Sequence, residues 1–372
     1  MSFDPGGLAT PGVARLTPYL PGKPVEELQR EYGISDALKL ASNENPLGPS
    51  PRAMQAMQSL LQGINYYPDQ HALVRCLAIR HEVATEAITL GNGSNDVLDL
   101  VARAFLLPGS NAVFSQHAFA VYWLSTMACS AEPKVVPALP ATHPRMPYGH
   151  DLNGMLEAVD RHTRVIFIAN PNNPTGTWLE RAELQTFLNA LPDHVVVVLD
   201  EAYTEYVDLE EFPDGMQWLG RYPQLIVTRT FSKIYGLAGA RCGYAVCSGA
   251  IADLLNRVRH PFNVNKLAIG AALAALEDDE FVTRSAATNR AGLQRLQAAF
   301  AEMGLTTMPS VANFVCVDVG REAAPVFEAL LRLGVIVRPV ANYQLPGHLR
   351  VTVGRTQDNE RVIDAFATVL NA

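Results

Sequence analysis

The sequence predicts an α/β protein. A large domain is built on a mostly parallel sheet covered by helices, and a smaller α/β domain follows at the C-terminal end, joined by the N-terminal segment. Three observations carry this expectation. From about residue 72, helical stretches alternate with short apolar runs at 87–90, 112–114, 164–169, 194–199, 224–228 and 243–247. Such alternation gives parallel strands with helices on both faces. Past residue 250 the rhythm changes: helical periodicity over 266–276 and 280–303 precedes strands at 313–318, 334–338 and 349–353. With 372 residues the chain is long enough for two domains. The expected division is 1–45 for an N-terminal arm and part of the small domain, 46–262 for the large domain, and 263–372 for the small domain.

Taken in order, residues 1–24 are rich in Pro and Gly and read as an extended arm. Val25–Tyr32 is a short amphipathic helix stopped by Gly33. Leu40–Pro49 is a polar loop, Leu-Ala-Ser-Asn-Glu-Asn-Pro-Leu-Gly-Pro, that caps a helix near 51–61 or serves a site. The C-terminal third adds helices at 322–333 and 357–370 around the strands at 313–318, 334–338 and 349–353.

Composition excludes several classes. Apolar residues make up 48% and the net charge is −8. No basic stretch stands out to neutralise nucleic-acid phosphates. The five cysteines are scattered and lack metal-ligand spacing, which suits a reduced, cytoplasmic protein. The histidines show no paired spacing on a helix, so no metal site is expected. No signal peptide opens the chain and no apolar stretch is long enough to span a membrane.

In sheets of this kind ligands sit beyond the carboxyl ends of the strands, so the residues that follow each strand matter. After 87–90 come Gly91-Asn92-Gly93-Ser94-Asn95-Asp96 and a helix. A glycine turn feeding a helix start offers free amides to an anion; alone, it serves equally as an ordinary cap. After 112–114 comes Phe119, a stacking ring or a core residue. After 164–169 comes Asn170-Pro171-Asn172-Asn173-Pro174-Thr175-Gly176, a fixed polar turn in which Asn173 could donate to a ring oxygen. After 194–199 come Asp200 and, three residues on, Tyr203. A carboxylate closing a buried strand needs a partner, and a protonated pyridine nitrogen is one.

The stretch after 224–228 ties these together. Thr230 and Ser232 flank the approach to Lys233, Gly236 and Gly239 follow, and Arg241 comes eight residues after the lysine. Hydroxyls and a guanidinium suit a phosphate. A lysine beside it can form a Schiff base once it loses a proton. Phosphate and Schiff base together suggest pyridoxal 5'-phosphate (PLP). In the small domain, Arg338 and Arg350 each stand at a strand end and suit anionic substrate groups, or surface ion pairs.

The chain resembles the fold-type I PLP-dependent aminotransferases, and most of all the histidinol-phosphate aminotransferases. The motifs that carry the resemblance run in order along nearly the whole sequence: Leu16-Thr17-Pro18-Tyr19, Asn43-Glu44-Asn45-Pro46, Tyr66-Tyr67-Pro68, Asn172-Asn173-Pro174-Thr175-Gly176, Asp200-Glu201-Ala202-Tyr203, Ser232-Lys233 with Leu237-Ala238-Gly239-Ala240-Arg241, and Leu349-Arg350-Val351-Thr352-Val353-Gly354. The resemblance implies a seven-stranded type of sheet in the large domain. It implies that Lys233 holds PLP as a Schiff base and then serves as base and acid. Asp200 would pair with the pyridine nitrogen, Asn173 and Tyr203 would bind the phenolic oxygen, and Phe119 would stack on the ring. Ser94, Asn95, Thr230, Ser232 and Arg241 would hold the phosphate, with Tyr67 reaching it from the other subunit of a homodimer with shared sites. Arg350 would take the substrate carboxylate, and Arg338, Tyr19 and Asn45 would complete the substrate site.

The implied reaction is transamination of histidinol phosphate with 2-oxoglutarate, giving imidazole-acetol phosphate and glutamate in histidine biosynthesis. Two departures stand out. Phe119 replaces a tyrosine common in the family, and Phe231 a leucine. Alternatives are a broad aromatic aminotransferase, a PLP-dependent phospho-amino-acid decarboxylase, and a non-catalytic PLP-binding regulatory module. The acidic charge balance argues against the last.

Overall fold

The structure is a computed structural model that describes residues 5–18 and 22–371. β1 (Leu38–Lys39) comes first. A seven-stranded sheet follows, made of β2 (Ile88–Gly91), β3 (Asn111–Ser115), β4 (Glu132–Val136), β5 (Thr163–Ala169), β6 (Val196–Asp200), β7 (Leu225–Thr230) and β8 (Gly243–Cys247). Its order is β2-β8-β7-β6-β5-β3-β4. Neighbours from β4 to β7 pair in parallel, whereas β8 lies antiparallel to both β7 and β2. The sheet is therefore parallel apart from β8, as the alternation of elements predicts.

The sequence pattern locates six of these strands to within a residue or two. It misses β4, whose residues are Glu-Pro-Lys-Val-Val with only Val136 buried. A proline and a charge demote a run that reads as central strand, yet both are tolerated at a sheet edge, and β4 is the edge.

One face of the sheet is covered by Ser94–Phe105, which buries Val97, Leu98 and Val101 in one cluster with Phe114, Tyr122 and Phe167. On the other face Arg181–Ala190 buries Leu184 and Phe187 with Ile166, Val197 and Trp218. The helix Lys266–Leu276 is nearly all apolar. It packs its alanines with Ala53, Leu73 and Leu77, at the end of the large sheet.

The C-terminal region adds β9 (Thr306–Thr307), β10 (Phe314–Asp318), β11 (Val335–Ile336), β12 (Arg338–Pro339) and β13 (His348–Thr352). The single strand expected at 334–338 is two. β11 pairs in parallel with β1, while β12 joins the four-stranded sheet β12-β13-β10-β9. Leu296, Phe300, Val315, Val351 and Phe366 form its core. The N-terminal helix Val25–Tyr32 ends at Gly33 in a left-handed conformation and buries Leu28 with Leu331 and Ile336. The first described residues make two 3-10 turns, Gly6–Leu8 and Val13–Arg15, in place of the expected extended arm. Between them the backbone amide of Gly12 donates to Ser130 Oγ at 3.0 Å.

Candidate active site

Strands β2, β3, β5, β6 and β7 all end at one edge of the large sheet, and antiparallel β8 begins there. That register puts Gly243 opposite both Gly91 and Thr230. A cavity of about 150 Å³ sits at this edge. Ser94, Asn95, Phe119, Asn173 and Asp200 line it, as do Tyr203, Thr230, Ser232, Lys233 and Arg241. Segments far apart in the chain thus converge on one small space.

The anion-binding corner is built by backbone. Gly93, at φ 86, caps the helix Ser94–Phe105 without any side-chain cap bond. The first amides of the helix therefore stay available and its positive end faces the cavity. Neither Ser94 nor Asn95 serves as the ordinary cap. A side chain at Gly93 would lie 2.1 Å from Arg241 Nη2, and one at Gly243 would lie 2.4 Å from the Ser94 amide. Glycine at both places lets the guanidinium and the helix start approach each other. Arg241 Nη1 donates to Ser232 Oγ at 3.1 Å and to Ala238 O at 2.9 Å, which aims the charge. Thr230 Oγ1 accepts from the Ser232 amide at 3.1 Å.

Asp200 is buried at the end of β6. Burial pushes its carboxyl above the usual range, and hydrogen bonds from Tyr122, Thr228 and the Ala202 backbone pull it back. The Tyr122 hydroxyl donates to Oδ2 at 2.9 Å and Thr228 Oγ1 donates to Oδ1 at 3.1 Å.

Lys233 Nζ donates to Ser42 O at 3.2 Å and lies 5.7 Å from the centre of the Tyr203 ring. Burial lowers its pKa to about 8, with the Arg350 and Arg241 charges adding to the effect. A lysine so placed is uncharged often enough near neutral pH to act as nucleophile or base. Tyr203 goes the other way: burial pushes its phenol up to about 12. It accepts a 3.0 Å bond from Asn43 Nδ2. Arg350, also buried, donates through Nη1 to the side-chain oxygen of Asn173 and through Nη2 to Ala41 O at 2.9 Å. Its Nε is buried without a hydrogen-bond partner among the described residues.

Three further residues read from the sequence lie elsewhere. Tyr67 is 79% exposed and stacks on Phe262 with ring centres 4.4 Å apart, outside the cavity of its own chain. Arg338 lines a second cavity of about 730 Å³ that shares Phe119 with the first, along with Lys23, Trp123 and Tyr343. Asn45 does not line either space. Its Nδ2 donates to Ile234 O at 2.7 Å and Ser285 Oγ at 2.9 Å, and its Oδ1 accepts from the Leu47 amide at 2.9 Å. Those bonds use up the amide in bracing the loop just after Lys233. Tyr19 falls outside the described residues.

The donor set can hold a flat aromatic ring bearing a phosphate. It offers an uncapped helix start and a guanidinium for the phosphate, a carboxylate for a ring nitrogen, and a lysine of lowered pKa for an aldehyde. PLP fits that set. The model of the family "Aminotransferase class I and II" matches residues 35–366. The chain belongs to this family.

Relatives of this aminotransferase are alike along its length. Histidinol-phosphate aminotransferase 2 of Pseudomonas fluorescens is 56% identical, over 98% of this chain and 97% of its own. Histidinol-phosphate aminotransferase 2 of Methylococcus capsulatus is 55% identical, again over 98% of this chain and 97% of its own. Among solved structures, the histidinol-phosphate aminotransferase from Sinorhizobium meliloti in complex with pyridoxal-5'-phosphate superimposes with a TM-score of 0.87. It is 29% identical and the match covers 97% of each chain.

Three residues of the aminotransferase site escape sequence reasoning. Asn43 stands in the polar loop, but nothing local distinguishes it from Asn45. Tyr122 lies in the first turn of the helix Ala120–Ala128, three residues after the capping Phe119, and nothing local marks it as more than a core aromatic. Thr228 is a lone hydroxyl at the end of the apolar run Leu225–Val227. Each becomes a site residue only through a partner distant in sequence.

Proposed function

We propose that this aminotransferase uses PLP to transfer the amine of histidinol phosphate to 2-oxoglutarate, giving imidazole-acetol phosphate and glutamate in histidine biosynthesis. The observation that carries this reading is Lys233. Its pKa is lowered to about 8, and it lines one small cavity with the phosphate-type corner and Asp200. The names of the relatives support the choice of substrate.

Bound PLP supplies an aldehyde that exchanges amines and a ring that accepts electrons. The chain supplies the rest. Ser94, Asn95, Thr230, Ser232 and Arg241 hold the phosphate. Asp200 would pair with the ring nitrogen and favour its protonated form. Asn173 and Tyr203 donate to the phenolic oxygen, Tyr203 as a neutral phenol because its pKa is raised to about 12. Phe119, which lines the cavity, would stack on the ring. Lys233 would anchor the cofactor, and its amine of lowered pKa is the group that would move the proton of the substrate's α-carbon. Arg350 would bind the α-carboxylate of glutamate, Arg338 and Tyr19 would complete the anion-binding wall, and the pair Arg338 and Arg350 would serve both that carboxylate and the phosphate of histidinol phosphate.

We further propose a homodimer. Leu61, Ile64, Tyr66, Tyr67 and Phe262 are exposed apolar or aromatic residues, a composition suited to an interface. From there Tyr67 would reach the partner's phosphate site. We also propose two domains, 46–262 as the large one and 1–45 with 263–372 as the small one, the helix Lys266–Leu276 of the second packing with Ala53, Leu73 and Leu77 of the first. Five free cysteines suit a reducing compartment, and we propose the cytoplasm.

One observation favours a second reading. Phe119, Trp123 and Leu124 give the 730 Å³ cavity an apolar wall that suits an aromatic amino acid. Half-reaction spectra separate the two. Histidinol phosphate and glutamate should each bleach the visible band of the holoenzyme rapidly. Bleaching chiefly by phenylalanine would move the assignment to an aromatic aminotransferase, and absence of any visible band after added PLP would end it.

A further inference from the structure

Asp200 is held by more than the strand that ends in it. Its two oxygens each accept a hydroxyl hydrogen bond, Oδ2 from Tyr122 at 2.9 Å and Oδ1 from Thr228 at 3.1 Å. The donors come from different elements: Tyr122 from the helix Ala120–Ala128 and Thr228 from β7. Both side chains are fully buried. Tyr122 is further pinned by its ring, which stacks on Phe167 with centres 4.8 Å apart at 7°. Phe119 meets the same ring edge-on at 6.0 Å and 89°. The ring that lines the cavity and the hydroxyl that holds the carboxylate are therefore fixed by one side chain.

We propose that Tyr122 and Thr228 are positioning residues that act through Asp200, fixing its direction and holding it ionised toward the pyridine nitrogen of PLP. This rests on the assignment of PLP to the cavity.

The physical argument is one of balance. Burial alone favours the neutral acid, which could not keep a ring nitrogen protonated. Two hydroxyls that donate to the carboxylate favour its charged form, and each oxygen keeps a lone pair for the cofactor. Tyr122 suits this task because burial and the Asp200 charge push its own phenol well above the ordinary value. It stays a donor across the working pH range. The titratable groups that face this pair are Lys233, Tyr203 and Tyr343. The Lys233 charge also favours an ionised Asp200, so the lysine and the two hydroxyls act in the same direction.

The test compares Tyr122→Phe, Thr228→Val and Thr228→Ser as holoenzymes with wild type. Three quantities are read: the dissociation constant for PLP, the pH at which the visible band of the bound cofactor changes, and kcat against KM for the amine donor. Loss of a donor to a charged acceptor predicts that kcat falls roughly ten- to a hundred-fold, with KM little changed. The PLP dissociation constant should rise and the spectral titration should shift in both Tyr122→Phe and Thr228→Val. Thr228→Ser, which keeps the hydroxyl, should restore all three. In an Asp200→Asn background, Tyr122→Phe should add little, because its route is gone. If Tyr122→Phe does not fold, the isosteric Thr228→Val carries the test alone. An unshifted titration and unchanged kcat in the folded variants would overturn the proposal. Wild type that fails to bind PLP would instead refute the assignment on which it rests, and that control is read first.

Discussion

Asn43 Nδ2 donates a 3.0 Å hydrogen bond to the hydroxyl of Tyr203. The two residues are 160 positions apart, and the bond decides where the phenol proton goes. With its oxygen accepting from Asn43, the Tyr203 hydroxyl is left to donate into the cavity. Asn43 is itself held at φ 56, with its amide bonded to Thr352 Oγ1 at 2.9 Å and its carbonyl accepting from Asn313 Nδ2 at 2.9 Å. The N-terminal loop, the large sheet and the small sheet meet at this residue.

Asn43→Gly should keep the fold, because glycine accepts the left-handed backbone. It should still weaken PLP binding by about tenfold through the lost hydrogen bond to Tyr203. Asn43→Ala should add a stability loss of about 1 kcal/mol from its positive φ. Urea unfolding and PLP titration of the two variants separate the effects; equal PLP affinity in Asn43→Gly and wild type would contradict the role given to the bond.

Lys233 predicts a stability that changes with pH. Its folded pKa is lowered to about 8, so between that value and the ordinary lysine pKa the unfolded chain binds a proton that the folded chain does not. Stability of the apoenzyme should therefore rise with pH across that window. Below the folded pKa the buried charge carries its full penalty. Lys233→Met should remove this rise, and the difference between the two urea-unfolding profiles isolates it. A parallel pair of profiles would show that the lysine is not perturbed.

Arg350 makes bonds with fork geometry, to Asn173 and to Ala41 O. Lysine keeps the charge but not the fork. Arg350→Lys should lower kcat/KM for glutamate by roughly a hundred-fold, while PLP still binds. Steady-state kinetics with the visible band as a control test this, and a loss confined to PLP binding would point to Asn173 instead.

Gly243→Ala should damage the phosphate corner from behind. The new methyl would lie 2.4 Å from the Ser94 amide, so the helix start must move. The PLP dissociation constant should rise about tenfold or more, with about 1–3 kcal/mol of lost stability. Calorimetry with and without PLP distinguishes this from a purely structural defect, which would leave the affinity unchanged.

Glu201 is a contrast to its neighbour Asp200. It accepts from Arg229 Nη2 at 2.7 Å and from the Gly215 amide at 2.7 Å, facing away from the cavity. Arg229 also donates to Asp214 at 2.7 Å. Glu201→Gln should destabilise the fold by about 3 kcal/mol, the lower range for a broken buried pair. The folded fraction should keep the wild-type visible band.

Local patterns determine much of this protein. Apolar runs with turn residues after them are read over a few positions, so the alternation of elements and the strand-end residues Asn173, Asp200, Tyr203 and Lys233 are legible in the order of residues alone. Tertiary structure decides what local pattern does not encode. β4 is a strand because it lies at an edge, where its proline leaves no central ladder bond unmade. β8 runs backwards, which delivers Arg241 and Gly243 to the helix start at Ser94. Asn45, a site residue on sequence grounds, spends its amide on Ile234 and Ser285 instead. The bonds that aim the site join residues 78, 160 and 177 positions apart: Tyr122 to Asp200, Asn43 to Tyr203, and Arg350 to Asn173. A hydroxyl or amide acquires its role from the partner it meets in a water-poor interior, where an unpaired polar group is costly. Sequence names the groups, and only packing of the two sheets against the N-terminal loop chooses the pairs.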